Sequence, residues 1–219
     1  LVAVKDLRVE WRSRVVLNQV LPFAAVVMVM FAFALDNTDL LTRVAPGLVW
    51  MATIFSLQVL VQRSFAIETA DGALDALQVA GVRPAGVFLG KSLALAAELA
   101  VLEVVLLGGA IVLYRTDVQV GRLGLLAATY LAATCGLAFV GTLYGGLAAG
   151  AKGRETLLPL LMLPVVAPVL IGATRATEAA FGTNDATTGD GWPWLGLLAL
   201  FAAVFGTAGT LGFGSLIDE

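Results

Sequence analysis

Histidine is absent from this chain of 219 residues, and cysteine occurs once, at Cys135. Without imidazole the commonest metal ligand, general base and proton shuttle are all missing, which excludes serine–histidine hydrolysis and histidine-based zinc chemistry. A lone cysteine cannot close an intrachain disulfide; standing inside an apolar run, Cys135 reads as a small packing residue. Charge is scarce too, since Asp, Glu, Lys and Arg make up 13% of the chain against about 25% in soluble domains. The Lys and Arg residues number 13 and are scattered over short loops, so no basic face can form that would follow a nucleic-acid backbone.

What is present in excess is apolar surface: 59% of residues are hydrophobic and the mean hydropathy is +0.94. Crossing a bilayer core takes about 20 mostly apolar residues. Six stretches meet that need: 15–35, 44–61, 87–114, 123–149, 157–174 and 192–215. The first is too long for the apolar core of a signal peptide and has no small-residue cleavage site after its charged flank, so it is expected to stay as an anchor. The sequence thus predicts an all-α integral membrane protein, a single bundle of six transmembrane helices over 1–219 in contact with the lipid bilayer.

Orientation follows from the loops, because cytoplasmic loops collect Lys and Arg. With the N-terminus inside, nine basic residues face the cytoplasm: Lys5, Arg8, Arg12 and Arg14 before the first span, then Arg63, Arg83, Lys91, Lys152 and Arg154. Arg43, Arg115, Arg122 and Arg175 face out. Nine against four places both termini in the cytoplasm. Trp192, Trp194 and Tyr114 are expected as anchors at the outer interface. Outside, 175–191 reads as a short helix followed by a turn-rich run from Gly182 to Gly191.

Several local patterns bear on mechanism. Over residues 1–14, Val4, Leu7, Trp11 and Val15 recur every three or four positions while Lys5, Arg8 and Arg12 share another face, the pattern of a basic amphipathic helix in the headgroup plane. The inner segment 63–84 contains Glu68, Asp71, Gly72, Leu74, Asp75 and Leu77. Here Asp71 can cap a helix, Asp75 complements its positive end, and Gly81 with Pro84 stops it. Such a short helix is not stable alone in water, and its acidic face is repelled by anionic lipid, so a cytoplasmic protein is its expected dock, with Leu74 and Leu77 as the apolar ridge. Glu98 and Glu103 are ionisable groups at membrane depth, costly enough to count as functional candidates. Five positions apart, they are turned by about 140° and do not pair on one face. Pro159, Pro164 and Pro168 predict a kinked or broken fifth span, a flexing or cargo-lining element. Gly141 with Gly145, and Gly146 with Gly150, predict close helix approach. The run Ala85-Gly-Val-Phe-Leu-Gly90-Lys91-Ser92 imitates a phosphate loop, but Pro84 precedes it and a membrane helix follows, so Lys91 reads instead as a snorkelling anchor. Nucleotide must then be handled by another chain.

The chain resembles the CcmB family, the membrane subunit of the haem exporter of cytochrome c maturation. The resemblance is carried by Arg43-Val-Ala-Pro46-Gly47-Leu-Val-Trp50 at the outer start of the second span and by Arg63-Ser-Phe65 followed by Asp71-Gly-Ala-Leu-Asp-Ala-Leu77. Gly90-Lys91 and Leu163-Pro-Val-Val-Ala-Pro-Val-Leu-Ile-Gly-Ala-Thr174 complete it. It implies a fold like the type-2 ABC exporters and a bacterial inner-membrane location. It also implies a CcmA-like ATPase that binds ATP and Mg and docks on the inner loop, and haem-handling neighbours like CcmC and CcmD. No catalytic residue and no cofactor of its own is implied for this chain; haem is handled by the complex. Because the usual axial ligand of haem is missing, the subunit is expected to transmit motion to a neighbour that holds haem. Two other readings share many of these features: a type-2 ABC permease for a lipid, drug or glycan, and an ion-coupled secondary transporter using Glu98 or Glu103.

Overall fold

The structure, a computed structural model, describes residues 2–14, 16–35, 37–70, 83–116, 118, 120–149 and 154–217; side chains are described for all of these except 11, 13, 17, 67–70, 149, 154–156 and 215–217. Among the described residues every regular element is helical: α1 (Val2–Ser13), α2 (Leu21–Ala34), α3 (Thr38–Ala70), α4 (Pro84–Leu113), α5 (Leu123–Ala149), α6 (Arg154–Phe181) and α7 (Thr188–Ile217). Five of them, α3 to α7, contain segments long and apolar enough to cross a membrane. The first expected span is divided. A π-helical turn, Val16–Val20, precedes α2, whose first turn holds Pro22 and so lacks one backbone donor. The resulting apolar helix Asn18–Ala34 falls below the length of the other five.

Helix ends differ from the hydropathy boundaries wherever polar groups satisfy a terminus. The second span was expected from Val44, but α3 starts at Thr38 because Asn37 Oδ1 accepts the backbone N–H groups of Asp39 and Leu40 at 3.0 and 3.1 Å. Likewise α6 runs on from Thr174 to Phe181 as one helix rather than yielding to a separate short one. Arg175 and Glu178, 3.0 Å apart and one turn apart in sequence, lie in this extension. It ends where Gly182 takes a left-handed φ of 72°, a conformation with no steric cost for glycine. The run expected as loop up to Gly191 already contains the start of α7 at Thr188: Asp190 accepts both the Thr187 N–H (2.8 Å) and its hydroxyl (2.7 Å), half of a capping box.

Packing centres on α5, which contacts α3, α4, α6 and α7. Its glycines make this possible. A Cβ on Gly141 would lie 2.8 Å from Val61, and one on Gly145 would lie 2.4 Å from the Phe65 ring. One on Gly146 would meet Phe213 of α7 at 2.7 Å. The expected small-residue contacts at 141, 145 and 146 are therefore contacts inside the chain, α5 to α3 on one side and α5 to α7 on the other; Gly150 lies outside the described residues. A single apolar core runs through α2 to α7 and includes Trp50, Leu57, Leu99, Leu137, Met162 and Phe213. A smaller cluster of Leu125, Leu126 and Phe181 closes one end. There Arg122 donates to the carbonyls of Ala179 (2.9 Å) and Ala186 (3.2 Å), placing its charge at the negative end of α6.

Candidate functional site

The segment expected to dock a partner, Asp71, Gly72, Leu74, Asp75 and Leu77, lies outside the described residues, and Glu68 is described only as backbone within α3. What is described is the ground on which it stands: the end of α3, the start of α4, and α1 packed across them. α1 turns Val2, Ala3, Asp6 and Glu10 toward the bundle, and its first turn sits so close to α4 that a Cβ on Gly90 would fall 2.7 Å from Val2. Its other two faces point away from the protein. Val4 and Leu7 are exposed, as are Lys5, Arg8 and Arg12; at 100° per residue the two groups form separate stripes. The expected amphipathic pattern is thus a three-faced one, with a small and acidic face added that the apolar-versus-basic reading missed.

Lys91 is the centre of this junction, and here the snorkelling reading is corrected. Its side chain is 2% exposed. The ammonium lies 3.5 Å from Asp6 Oδ2 of α1, donates to Ser64 Oγ of α3 at 3.3 Å, and sits 4.6 Å from the centroid of the Phe65 ring. A cation over an aromatic face is attracted by the ring quadrupole, and a buried ammonium is tolerable only with such partners. Lys5 approaches the other oxygen of Asp6 at 3.2 Å. One basic residue in the phosphate-loop imitation therefore pins three helices together at the base of 71–82. The imitation itself is the helical beginning of α4.

The two acids of α4, Glu98 and Glu103, go to different places, as their angular separation required. Glu98 is half-buried and lines the cleft between α4 and α1 with Glu10, Arg63 and Ser64. Glu103 is 2% exposed and points at α5, where the Thr134 hydroxyl shares its hydrogen between Glu103 Oε2 (2.5 Å) and the Tyr130 carbonyl (2.6 Å). Glu103 Oε1 and the Tyr130 hydroxyl are buried with no protein partner among the described residues. The Tyr130 ring packs against Trp50 with centroids 4.9 Å apart, and Trp50 Nε1 donates to Thr177 Oγ1 at 2.9 Å. Two polar links, Glu103–Thr134 and Trp50–Thr177, joined by the Tyr130–Trp50 ring contact, thereby connect α4, α5, α3 and α6 through the bundle. Thr134, Tyr130 and Thr177 were not legible as members; the one available hint was that a buried indole N–H needs an acceptor.

The remaining candidates are also located. Pro46 and Trp50 are buried and Gly47 is half-buried against Thr174, so these residues join α3 to α6 well inside α3 rather than at its beginning. Pro159, Pro164 and Pro168 lie within one continuous α6; Pro164 and Pro168 are on its exposed side with Leu160, Leu161 and Ile171, away from the polar links. Tyr114, expected at the interface, is fully buried. Its hydroxyl donates to the Met28 carbonyl at 2.9 Å and its own carbonyl accepts from Thr42 Oγ1 at 3.0 Å, so it fastens α2 and α3 to the end of α4. Trp192 does stay exposed. Among the described residues no group of three or more His, Cys, Asp or Glu side chains is placed to hold a metal ion.

Comparison with known proteins adds a family to this geometry. The family model described as CcmB protein matches residues 1–214. The chain is 29% identical over 208 residues to heme exporter protein B of Haemophilus influenzae, covering 94% of this chain and 90% of that one. It is 30% identical over 176 residues to heme exporter protein B of Escherichia coli, covering 80% and 79%, and 28% identical over 190 residues to that of Rhodobacter capsulatus, covering 81% and 82%.

Proposed function

Since this chain belongs to the CcmB family, we propose that it is the membrane permease subunit of an ATP-driven haem exporter serving cytochrome c maturation, moved by a separate ATPase that docks on residues 71–82. The observation that carries the reading is the Lys91 junction. The docking segment connects α3 to α4, and both are tied to α1 by one buried ammonium about two to three turns away from it. A push on 71–82 therefore reaches three helices at once instead of dissipating in a loose loop. Coupling requires that the segment bind its partner differently in two states of the assembly, and a stiff base converts that difference into helix motion.

In this reading Asn18–Ala34 with its flanking π-turn is the first of six spans, α3 to α7 are the others, and the arrangement is that of a type-2 ABC exporter. α1 lies along the cytoplasmic surface of the inner membrane with Val4 and Leu7 toward acyl chains and Lys5, Arg8 and Arg12 toward phosphates. Both termini are cytoplasmic, in keeping with nine basic residues against four. ATP and Mg are bound by the CcmA-like ATPase, and haem by neighbours like CcmC and CcmD. The subunit is non-catalytic. Its lack of histidine, with the Tyr114 hydroxyl committed to Met28, supports a role in transmitting motion to a haem-holding neighbour.

The test is the double substitution Leu74→Asp with Leu77→Asp in the intact complex. Membrane insertion is retained, and the ATPase no longer copurifies. Unchanged copurification together with unchanged ATP hydrolysis refutes the docking assignment.

A further inference from the structure

A half-buried carboxylate with no paired cation is costly beside apolar walls, and Glu98 is in that position. Among the described residues no hydrogen bond or ion pair ends on it; Glu10 and Arg63 line the same cleft. Beside it, between α1, the turn after it and α4, runs a groove of about 300 Å³. Its walls are Leu7, Val16, Ala97 and Val101, and its charged members are Glu10, Arg14 and Glu98. Arg14 is exposed and adopts a left-handed φ of 52° where the chain leaves α1. One oxygen of Glu10 is taken by the Val16 N–H at 2.6 Å, which fixes this corner of the groove.

We propose that the groove is a binding site for a zwitterionic aminophospholipid, with a length of acyl chain along Ala97 and Val101, the phosphate at Arg14, and the primary ammonium at Glu98. The charges select the class. The carboxylate of Glu98, beside the single guanidinium of Arg14, disfavours an anionic headgroup, and it disfavours haem, whose two propionates are both negative. A choline headgroup keeps the positive charge but has no N–H to donate, so it forfeits the charge-assisted hydrogen bond that an ammonium makes to a carboxylate. The apolar walls require an amphiphile rather than a free amine. The groove adjoins the cleft that Glu98 and Glu10 share with Ser64, so the bound lipid lines the same helix pair, α1 and α4, that the ammonium clamps.

The experiment uses the full chain purified in mild detergent and offered an equimolar mixture of phosphatidylethanolamine, phosphatidylcholine and phosphatidylglycerol with identical acyl chains, retained lipid being counted by native mass spectrometry. The wild type retains phosphatidylethanolamine about tenfold over either competitor, the worth of one hydrogen bond to a charged group. Glu98→Gln, nearly isosteric, abolishes the preference over phosphatidylcholine. Val101→Trp fills the groove and lowers retention of all three, whereas Leu160→Trp, on the exposed side of α6, leaves retention as in the wild type. Equal retention by the wild type, a preference for phosphatidylglycerol, or a preference that survives Glu98→Gln overturns the proposal. Retention undiminished in Val101→Trp, with the variant eluting as a single species, overturns the placement in this groove.

Discussion

Breaking the Lys91–Asp6 contact tests whether the junction of α1, α3 and α4 is as stiff as its geometry indicates. At 3.5 Å the bare attraction between two unit charges is about 5 kcal/mol for an effective dielectric constant near 20. Desolvation of a side chain that is 2% exposed, facing one that is 14% exposed, removes much of this. A net coupling of about 1–3 kcal/mol remains, within the range measured for contacting charged residues. Lys91→Met keeps the aliphatic stem over Phe65 and deletes the charge; Asp6 keeps Lys5 at 3.2 Å, so the single substitution costs less than full loss of a buried ion pair. Asp6→Asn removes the carboxylate charge that faces the buried ammonium and costs more. The assay is a double-substitution cycle read by thermal unfolding in detergent, together with basal ATP hydrolysis of the reconstituted complex. The cycle closes with at least about 1 kcal/mol of interaction, and both singles lower transport-linked ATP hydrolysis with the ATPase still bound. A coupling energy indistinguishable from zero refutes the clamp, because contact geometry would then be present without energetic connection between α1 and α4.

Three further outcomes follow from the packing. Gly145→Ala, whose Cβ would lie 2.4 Å from Phe65, destabilises the fold by about 1–3 kcal/mol through overpacking, whereas Gly108→Ala meets nothing within 4 Å and is neutral or stabilising by up to about 1 kcal/mol; melting temperatures of the two variants separate them. Trp50→Phe and Thr177→Val each cost about 1–3 kcal/mol because each leaves the other's buried polar group without its partner, and the double variant costs less than the sum, as unfolding by denaturant will report. Thr134→Val strips Glu103 of its one hydrogen bond among the described residues and costs more than Glu103→Gln, which keeps an acceptor oxygen for Thr134; expression-normalised melting curves rank the pair.

Composition and periodicity reveal the helices and their membrane character, because long apolar runs have one solution in lipid: a helix that satisfies its own backbone. Termini are harder to read. Asn37 moves the start of α3 six residues upstream of the apolar run, and the Arg175–Glu178 pair lies in the stretch of α6 that extends beyond it; both are short-range polar effects that a hydropathy window averages away. The divergence of Glu98 and Glu103 is legible from 100° per residue alone. Their surroundings are not, since Thr134 is 31 positions from Glu103 and Asp6 is 85 from Lys91. The burial of Lys91 is the largest surprise for a sequence-based reading. A lysine near the end of a membrane helix ordinarily stretches to the interface, and only the arrival of α1 with Asp6 makes an inward course favourable. Tyr114 departs from the interfacial expectation for the same kind of reason: the Met28 carbonyl offers its hydroxyl an acceptor inside the bundle.

The glycine seam of α5 decides which parts of the molecule can travel separately. Where two helices meet with a ring edge lying flat on bare backbone, as Phe65 does on Gly145 and Phe213 on Gly146, sliding by even a fraction of a turn would drive those rings into the side chains that flank the glycines. α3, α5 and α7 are therefore geared together, and any stroke that enters through the end of α3 must tilt the trio as one slab. Slender α2, which buries only Ala24 and Met28, is tethered at Met28 by the Tyr114 hydroxyl and so is carried along at the slab's edge.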